Sequence, residues 1–379
     1  MRNYPTAVAL AAAALALAAT AVPTAAAATG TAAGSAPTLY VDNLISGTVT
    51  PVSIATNTPG KAIKAGNGPT SMEITPDGKT VYVVDSGPST VTPISTATNT
   101  PGKAIRVGKG AYGAAMTPDG KTLYVADNGA GAITPISTAT NKAGKPVKTG
   151  ESPQFVAVTP DGKTAWAANL RSGTVTPVST ATNTPGKPVK VGKVPQWIAF
   201  TPDGKTAYVS NNGSGTVTPI SLATNTPGKP IKVGLNPYAI TITADGKTAY
   251  VSCTNGTVVP IATATNSAGK PIKVGHEPGV SVISPNGKTL WVTNGASASV
   301  TPISIATNTP GKAIKVGGAP SGIAVTDNGK TVYVVSQIGG TVTPISTATN
   351  TPGKRIKVGN NPWSIVCAPT ICQSSSTAG

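Results

Sequence analysis

From Thr38 onward the chain alternates short apolar runs with short polar breaks, and no stretch repeats its apolar residues at helical spacing. Four runs make up the unit that begins at Pro195. They are A, Pro195–Phe200 (PQWIAF), B, Thr206–Ser210 (TAYVS), C, Thr216–Ile220 (TVTPI), and D, Lys229–Val233 (KPIKV). Each is rich in β-branched or aromatic side chains and is bounded by Gly, Asn or Pro, which predicts a strand. Between A and B stands Thr-Pro-Asp-Gly-Lys-Thr. The Asp-Gly pair there predicts a hairpin, because glycine takes up positive φ without steric cost.

The unit recurs. The hairpin glycines Gly78, Gly120, Gly162, Gly204, Gly246, Gly287 and Gly329 are spaced by 42 residues, except for a step of 41 where the loop Cys253–Gly256 is one residue short. Four strands every ~42 residues predict a β-propeller blade. Two copies carry Asn286-Gly287 and Asn328-Gly329 in place of Asp-Gly. The turn therefore needs a short polar side chain rather than a carboxylate, and the Asp series is read as structural.

Tyr208-Val209-Ser210-Asn211 and Trp291-Val292-Thr293-Asn294, each after an Asn/Asp-Gly-Lys-Thr turn, resemble the repeat of YVTN-family β-propellers, and the likeness runs from Thr38 to Val366. The resemblance implies an all-β, secreted bacterial propeller, commonly seven-bladed, often without assigned chemistry; some relatives are lactonases or redox-enzyme domains. One departure stands out. Run C carries a proline in all eight copies, from Pro51 to Pro344, where the family has an uninterrupted strand. Either its nitrogen faces strand D where that pairing is interrupted, or C is the edge there.

Counting runs gives eight of each kind, but the chain opens on a B run (Thr38–Val41) and closes on an A run (Pro362–Val366). Pairing the two completes an eighth four-stranded blade and closes the ring. Seven blades with one displaced repeat is the alternative. The expected organisation is a signal peptide over 1–28, a flexible lead-in over 29–37, one propeller over 38–367 and a flexible tail over 368–379. The signal rests on Arg2, the apolar run Val8–Ala19 and the small residues Ala26–Ala28.

Composition changes the picture in two ways. Charged residues are only 11%, which excludes a charged helical bundle or coiled coil, and 43 Gly with 35 Pro are organised by the period rather than scattered. Net charge is +17, and 23 of the 29 basic residues belong to three rows of the repeat: the A–B turns (Lys79 series), the start of D (Lys61 series) and three residues later (Lys64 series). These rows predict a basic ring on the face where the A–B and C–D connections emerge. An anionic cell-wall polymer, polysaccharide or protein is the expected partner. Aromatic residues are not interleaved with the lysines, so sequence-specific nucleic acid is not expected.

Catalytic motifs are few. Gly108–Gly113 spells G-x-G-x-x-G but joins two strands, where a dinucleotide site needs a strand followed by a helix. With His276 as the sole histidine, neither a zinc ligand set nor a Ser-His-Asp triad is indicated, and no cofactor is expected. Of three cysteines, Cys367 and Cys372 are close enough in sequence to bond and Cys253 is left over. The B–C and D–A connections differ in every copy and emerge together opposite the predicted basic ring. There Tyr112, Gln154, Phe155, Gln196, Trp197, Tyr238 and Trp363 gather, with His276, Glu277 and Arg171. Aromatic platforms beside scattered polar groups suit sugars or peptides. Glu73, at a position that is Ala, Thr or Val in every other copy, is a further candidate, directed at the central channel. The expectation is a secreted, monomeric, non-enzymatic binding or cell-surface module; the alternative is a lactonase-type hydrolase using the central pocket.

Overall fold

A computed structural model describes residues 37–368 and the backbone of 372–374. The predicted signal peptide, nearly all of the lead-in and most of the tail lie outside the described residues. Eight antiparallel sheets stand around a central axis. In sequence order the inner strands are Pro69–Ile74, Ala111–Met116, Pro153–Val158, Pro195–Phe200, Pro237–Ile242, Pro278–Ile283, Gly318–Thr326 and Pro362–Ala368. The last of these belongs to blade 1. It pairs with Thr38–Asn43 in a register that runs from Thr38↔Ala368 to Asn43↔Pro362, so the two ends of the chain build one blade and close the ring. Blades 2 to 8 follow in order, and the arithmetic of eight holds over the alternative of seven.

The repeated proline shapes the outer wall. In each antiparallel strand a residue's N and C=O point the same way, and the Pro51 carbonyl accepts from Gly60 N (2.7 Å) in strand D. Its nitrogen therefore faces D, and the ladder to strand B, where Pro51 stands opposite Tyr40, loses nothing. The first of the two sequence alternatives holds. Strand D is broken opposite the proline into two short pieces, as Thr58–Pro59 and Ile63–Lys64 in blade 1.

Strand B is buried on both faces, and the apolar core lies in the interfaces between blades. A second device pins those interfaces. The tyrosine in the middle of strand B donates its hydroxyl to an asparagine Oδ1 in the C–D turn of the next blade. The pairs are Tyr40–Asn99, Tyr82–Asn141, Tyr124–Asn183, Tyr208–Asn266, Tyr250–Asn308 and Tyr333–Asn57, at 2.6–2.8 Å. Each of these asparagines has φ near +54°, a conformation that its short polar side chain tolerates.

Blade 1 carries a latch of its own. Asp42 accepts from the backbone N–H of Trp363 (3.1 Å) and of Ser364 (2.5 Å) and from the Ser364 hydroxyl (2.9 Å). No covalent turn joins strands A and B there, and a buried carboxylate takes up the donors of the returning strand. Beyond it, Cys372–Ser374 pairs with the channel edge of the inner strand of blade 8, Thr326↔Cys372 and Ala324↔Ser374. The boundary expected at 367 is thus corrected: Ala368 still lies in the closing strand, and this short strand narrows the channel from the A–B side. Cys367 is disulfide-bonded and Cys253 is free and buried; the side chain of Cys372 lies outside the described residues.

Candidate functional site

Connections sort onto two ends as the meander requires. Thr96 N donates to Lys79 O, joining the C–D and A–B turns, whereas Ser86 N donates to Gly68 O, joining the B–C and D–A connections at the other end. The basic rows do not gather on one face. Lys64 stands opposite Thr48, the first residue of strand C, and Arg106 opposite Thr90, so this row rims the B–C end. The Lys61 row lies between the two pieces of D, halfway up the wall. Only the turn lysines occupy the A–B end, and five of them lie 3.4–3.9 Å from the aspartate of their own turn. The single ring foreseen is therefore corrected to a basic wall, because strand D runs the full height of the blade and carries two of the three rows.

All 16 cations of the two wall rows are exposed and, among the described residues, unpaired with any acid. Between blades 4 and 5, at the B–C rim, a cleft of about 680 Å³ is lined by Lys190 of the wall and by Arg171 and Lys193 of the B–C and D–A connections. Acids are withdrawn from the surface. Of 12, Asp42, Glu73, Asp85 and Asp127 are buried.

At the D–A end, every inner strand carries a β-bulge that takes the residue after Pro69, Ala111, Pro153, Pro195, Pro237, Pro278, Pro320 or Pro362 out of the ladder. The residue before each of these is left-handed in every copy and includes Val194 (φ 55°) and Glu277 (φ 53°). A β-branched side chain at such a φ is strained, a state that clusters at binding sites. The bulge residues Tyr112, Gln154, Gln196 and Trp363 are half-buried, and Tyr112 and Trp363 pack against the same apolar cluster as Trp197 and Tyr238. Phe155, Trp197 and Tyr238 from three successive blades stack at centroid distances of 4.7 and 5.8 Å. Burial drives the Tyr238 phenol well above its ordinary pKa, with a smaller push from Tyr112. Trp197 Nε1, Tyr238 OH and Gln196 Oε1 are buried without a hydrogen-bond partner.

Phe155, Trp197 and Tyr238, foreseen as part of an aromatic platform, are buried where three successive inner strands begin. His276, Glu277 and Arg171 are exposed on the rim and do not join them. Glu73 also stands apart. It lies three residues along the strand from the bulge, about 10 Å. Its equivalent Thr241 bonds Ser281 of the next blade (2.7 Å), so Glu73 is directed at the interface of blades 2 and 3. Its carboxyl is neither solvated nor paired; burial pushes it well above the carboxylate range and leaves Oε1 without a partner. Gly108–Gly113 runs from the D–A connection, where Gly108 packs on Asp127, into the first residues of the inner strand Ala111–Met116, with no helix after it.

A family model described as YNCE-like beta-propeller matches residues 1–134. With the eight-bladed ring, it fits a YVTN-type β-propeller repeat protein. Solved structures similar to this propeller include the Kuenenia stuttgartiensis hydrazine synthase (TM-score 0.62, 21% identity, 74% of this chain and 96% of that one). Others are the dihydro-heme d1 dehydrogenase NirN in complex with DHE (0.74, 14%, 86% and 74%) and Citrobacter koseri AztD (0.67, 12%, 88% and 98%). At these identities the likeness is one of fold. No curated protein matches the chain.

Proposed function

We propose that this propeller is an exported, non-enzymatic binding module that holds an anionic polymer of the cell surface on its outer wall. The observation that carries the reading is the wall of 16 exposed cations without acid partners, one of which, Lys190, joins Arg171 and Lys193 in a cleft at the rim. Charges left without acid partners on a rigid repeat attract a polyanion along its length and release its counterions on contact. A disulfide at Cys367 suits an oxidising compartment, as does the apolar run after Arg2. Soluble inorganic polyphosphate is a direct probe. Binding should weaken steeply with salt, and Arg171→Ala/Lys190→Ala/Lys193→Ala should lower both affinity and the steepness of that dependence. Affinity independent of salt, or unchanged in the triple variant, would falsify the reading.

A second reading, small-molecule chemistry in the channel, is favoured by the unpartnered Trp197, Tyr238 and Gln196. It includes lactonase-type hydrolysis. Stoichiometric retention of a divalent metal by the purified protein, with lactone turnover lost in Tyr238→Phe, would move the function there.

A further inference from the structure

Six interfaces carry the Tyr–Asn latch, and two do not. Where blades 4 and 5 meet, strand B carries Trp166; where blades 7 and 8 meet, it carries Trp291. By the repeat, their asparagine partners are Asn225 and Asn350. Both indoles are buried, at 1% and 2% exposure, and both Nε1 atoms lack a hydrogen-bond partner. Among the described residues, neither asparagine side chain makes a hydrogen bond. A cleft opens at each place, about 440 Å³ beside Trp166 and Asn225 and about 360 Å³ beside Trp291 and Asn350.

We infer that these two clefts are equivalent sites for a hydroxylated ligand, a saccharide or polyol. One hydroxyl of the ligand takes the place of the missing tyrosine hydroxyl, accepting from the indole N–H and donating to the asparagine Oδ1. The chemistry follows from what the clefts share. A donor stands on one wall and an acceptor amide on the other, and a hydroxyl is the simplest group that meets both. Thr164 in one cleft corresponds to Thr289 in the other, adding a hydroxyl partner, whereas Thr159 and Ser284 are held in their own turns. Charge is not shared: Asp161 in one is Asn286 in the other, so the common ligand is neutral. Each volume admits a monosaccharide unit, and such a ligand would relieve the cost of leaving a buried donor unpaired.

This goes beyond the polymer-binding wall, because neutral recognition survives salt that screens the wall. The test follows the four indole N–H resonances of the full-length exported chain in 1 M NaCl while glucose, cellobiose or glycerol is added. Saturable shifts of Trp166 and Trp291, with Trp197 and Trp363 unmoved, are expected. A response to the sugars alone assigns a saccharide; a response to glycerol as well assigns a polyol hydroxyl. Trp166→Phe/Trp291→Phe keeps a ring but removes the donor and should weaken binding about ten-fold or more over the two sites. Trp166→Tyr/Trp291→Tyr, read by a cooperative melt, supplies a latch instead and should abolish it. If no probe moves the two resonances, or if both double variants bind as well as the parent, the sites do not exist.

Discussion

Among single residues, the end of strand B shows how burial converts a sequence choice into pH dependence. Asn43 uses its amide to donate to Thr48 Oγ1 (3.1 Å) and Thr50 Oγ1 (3.0 Å) while its Oδ1 accepts from Gly359 N (2.7 Å). Blades 2 and 3 place aspartate there. Thr92 and Thr134 donate to Asp85 and Asp127, whose Oδ1 atoms find no partner. Burial raises their pKa to about 7 and about 6. The folded state therefore holds these protons more tightly than the unfolded one. Their contribution is full below the unfolded value, about 4, and is lost as pH rises through 6 to 7. Asp85→Asn/Asp127→Asn should raise the melting temperature at pH 8 and leave it nearly unchanged at pH 4. A gain of equal size at both pH values would contradict this. The turn aspartates run the opposite way, their pKa lowered by the threonine hydroxyl and the lysine of their own turn, so their contribution fades in acid.

In the blade as an element, the broken strand D and the latch have separate jobs. The proline confines the loss of a ladder bond to the outermost pairing, and the tyrosine reaches out of strand B to hold the neighbouring blade by its C–D turn. Tyr82→Phe removes one hydroxyl bonded at 2.7 Å to Asn141 and keeps the ring in place. A cost of about 1 kcal/mol is expected in denaturant unfolding with an unchanged slope. Trp166→Phe, at an interface with no such bond, should show no matching loss from a missing latch. Both tyrosines and prolines were visible in the sequence as repeats. The latch was not, because its partners are 58 or 59 residues apart on different blades, or 276 for Tyr333 and Asn57 across the ring closure, and no local pattern links them.

For the whole molecule, stability depends on joining the chain's ends. Asp42 and the strand Pro362–Ala368 do this with a ladder broken by one bulge, at which the buried Asp42 side chain takes up the unpaired donors. Deleting residues 361–379 should expose both the channel edge of Thr38–Asn43 and one face of blade 2, lowering the melting temperature strongly or causing aggregation. Asp42→Ala should cost about 2–3 kcal/mol by orphaning the buried donors of Trp363 and Ser364. An unchanged cooperative melt in the truncated chain would show that the ring holds without closure.

The sequence by itself determined the strands, the turns, the period, the number of blades and the closing pair. All of these rest on local alternation, on Asp/Asn-Gly turn chemistry and on repetition, which need no knowledge of distant contacts. Tertiary structure alone decided which way the repeats face. Lysines that look like one ring in the sequence are spread over a wall, because strand D spans the blade from end to end. Trp197 and Tyr238, read as ligand platforms at the start of run A, are buried among neighbouring blades. Glu73, grouped with them by its oddness, is carried by its register into a different interface. Trp166 and Trp291 looked like ordinary strand aromatics, and only the ring sets each indole against an asparagine of the next blade that it does not bond. Side-chain direction around a closed ring depends on the packing of neighbouring blades, and that is a property of the assembled fold.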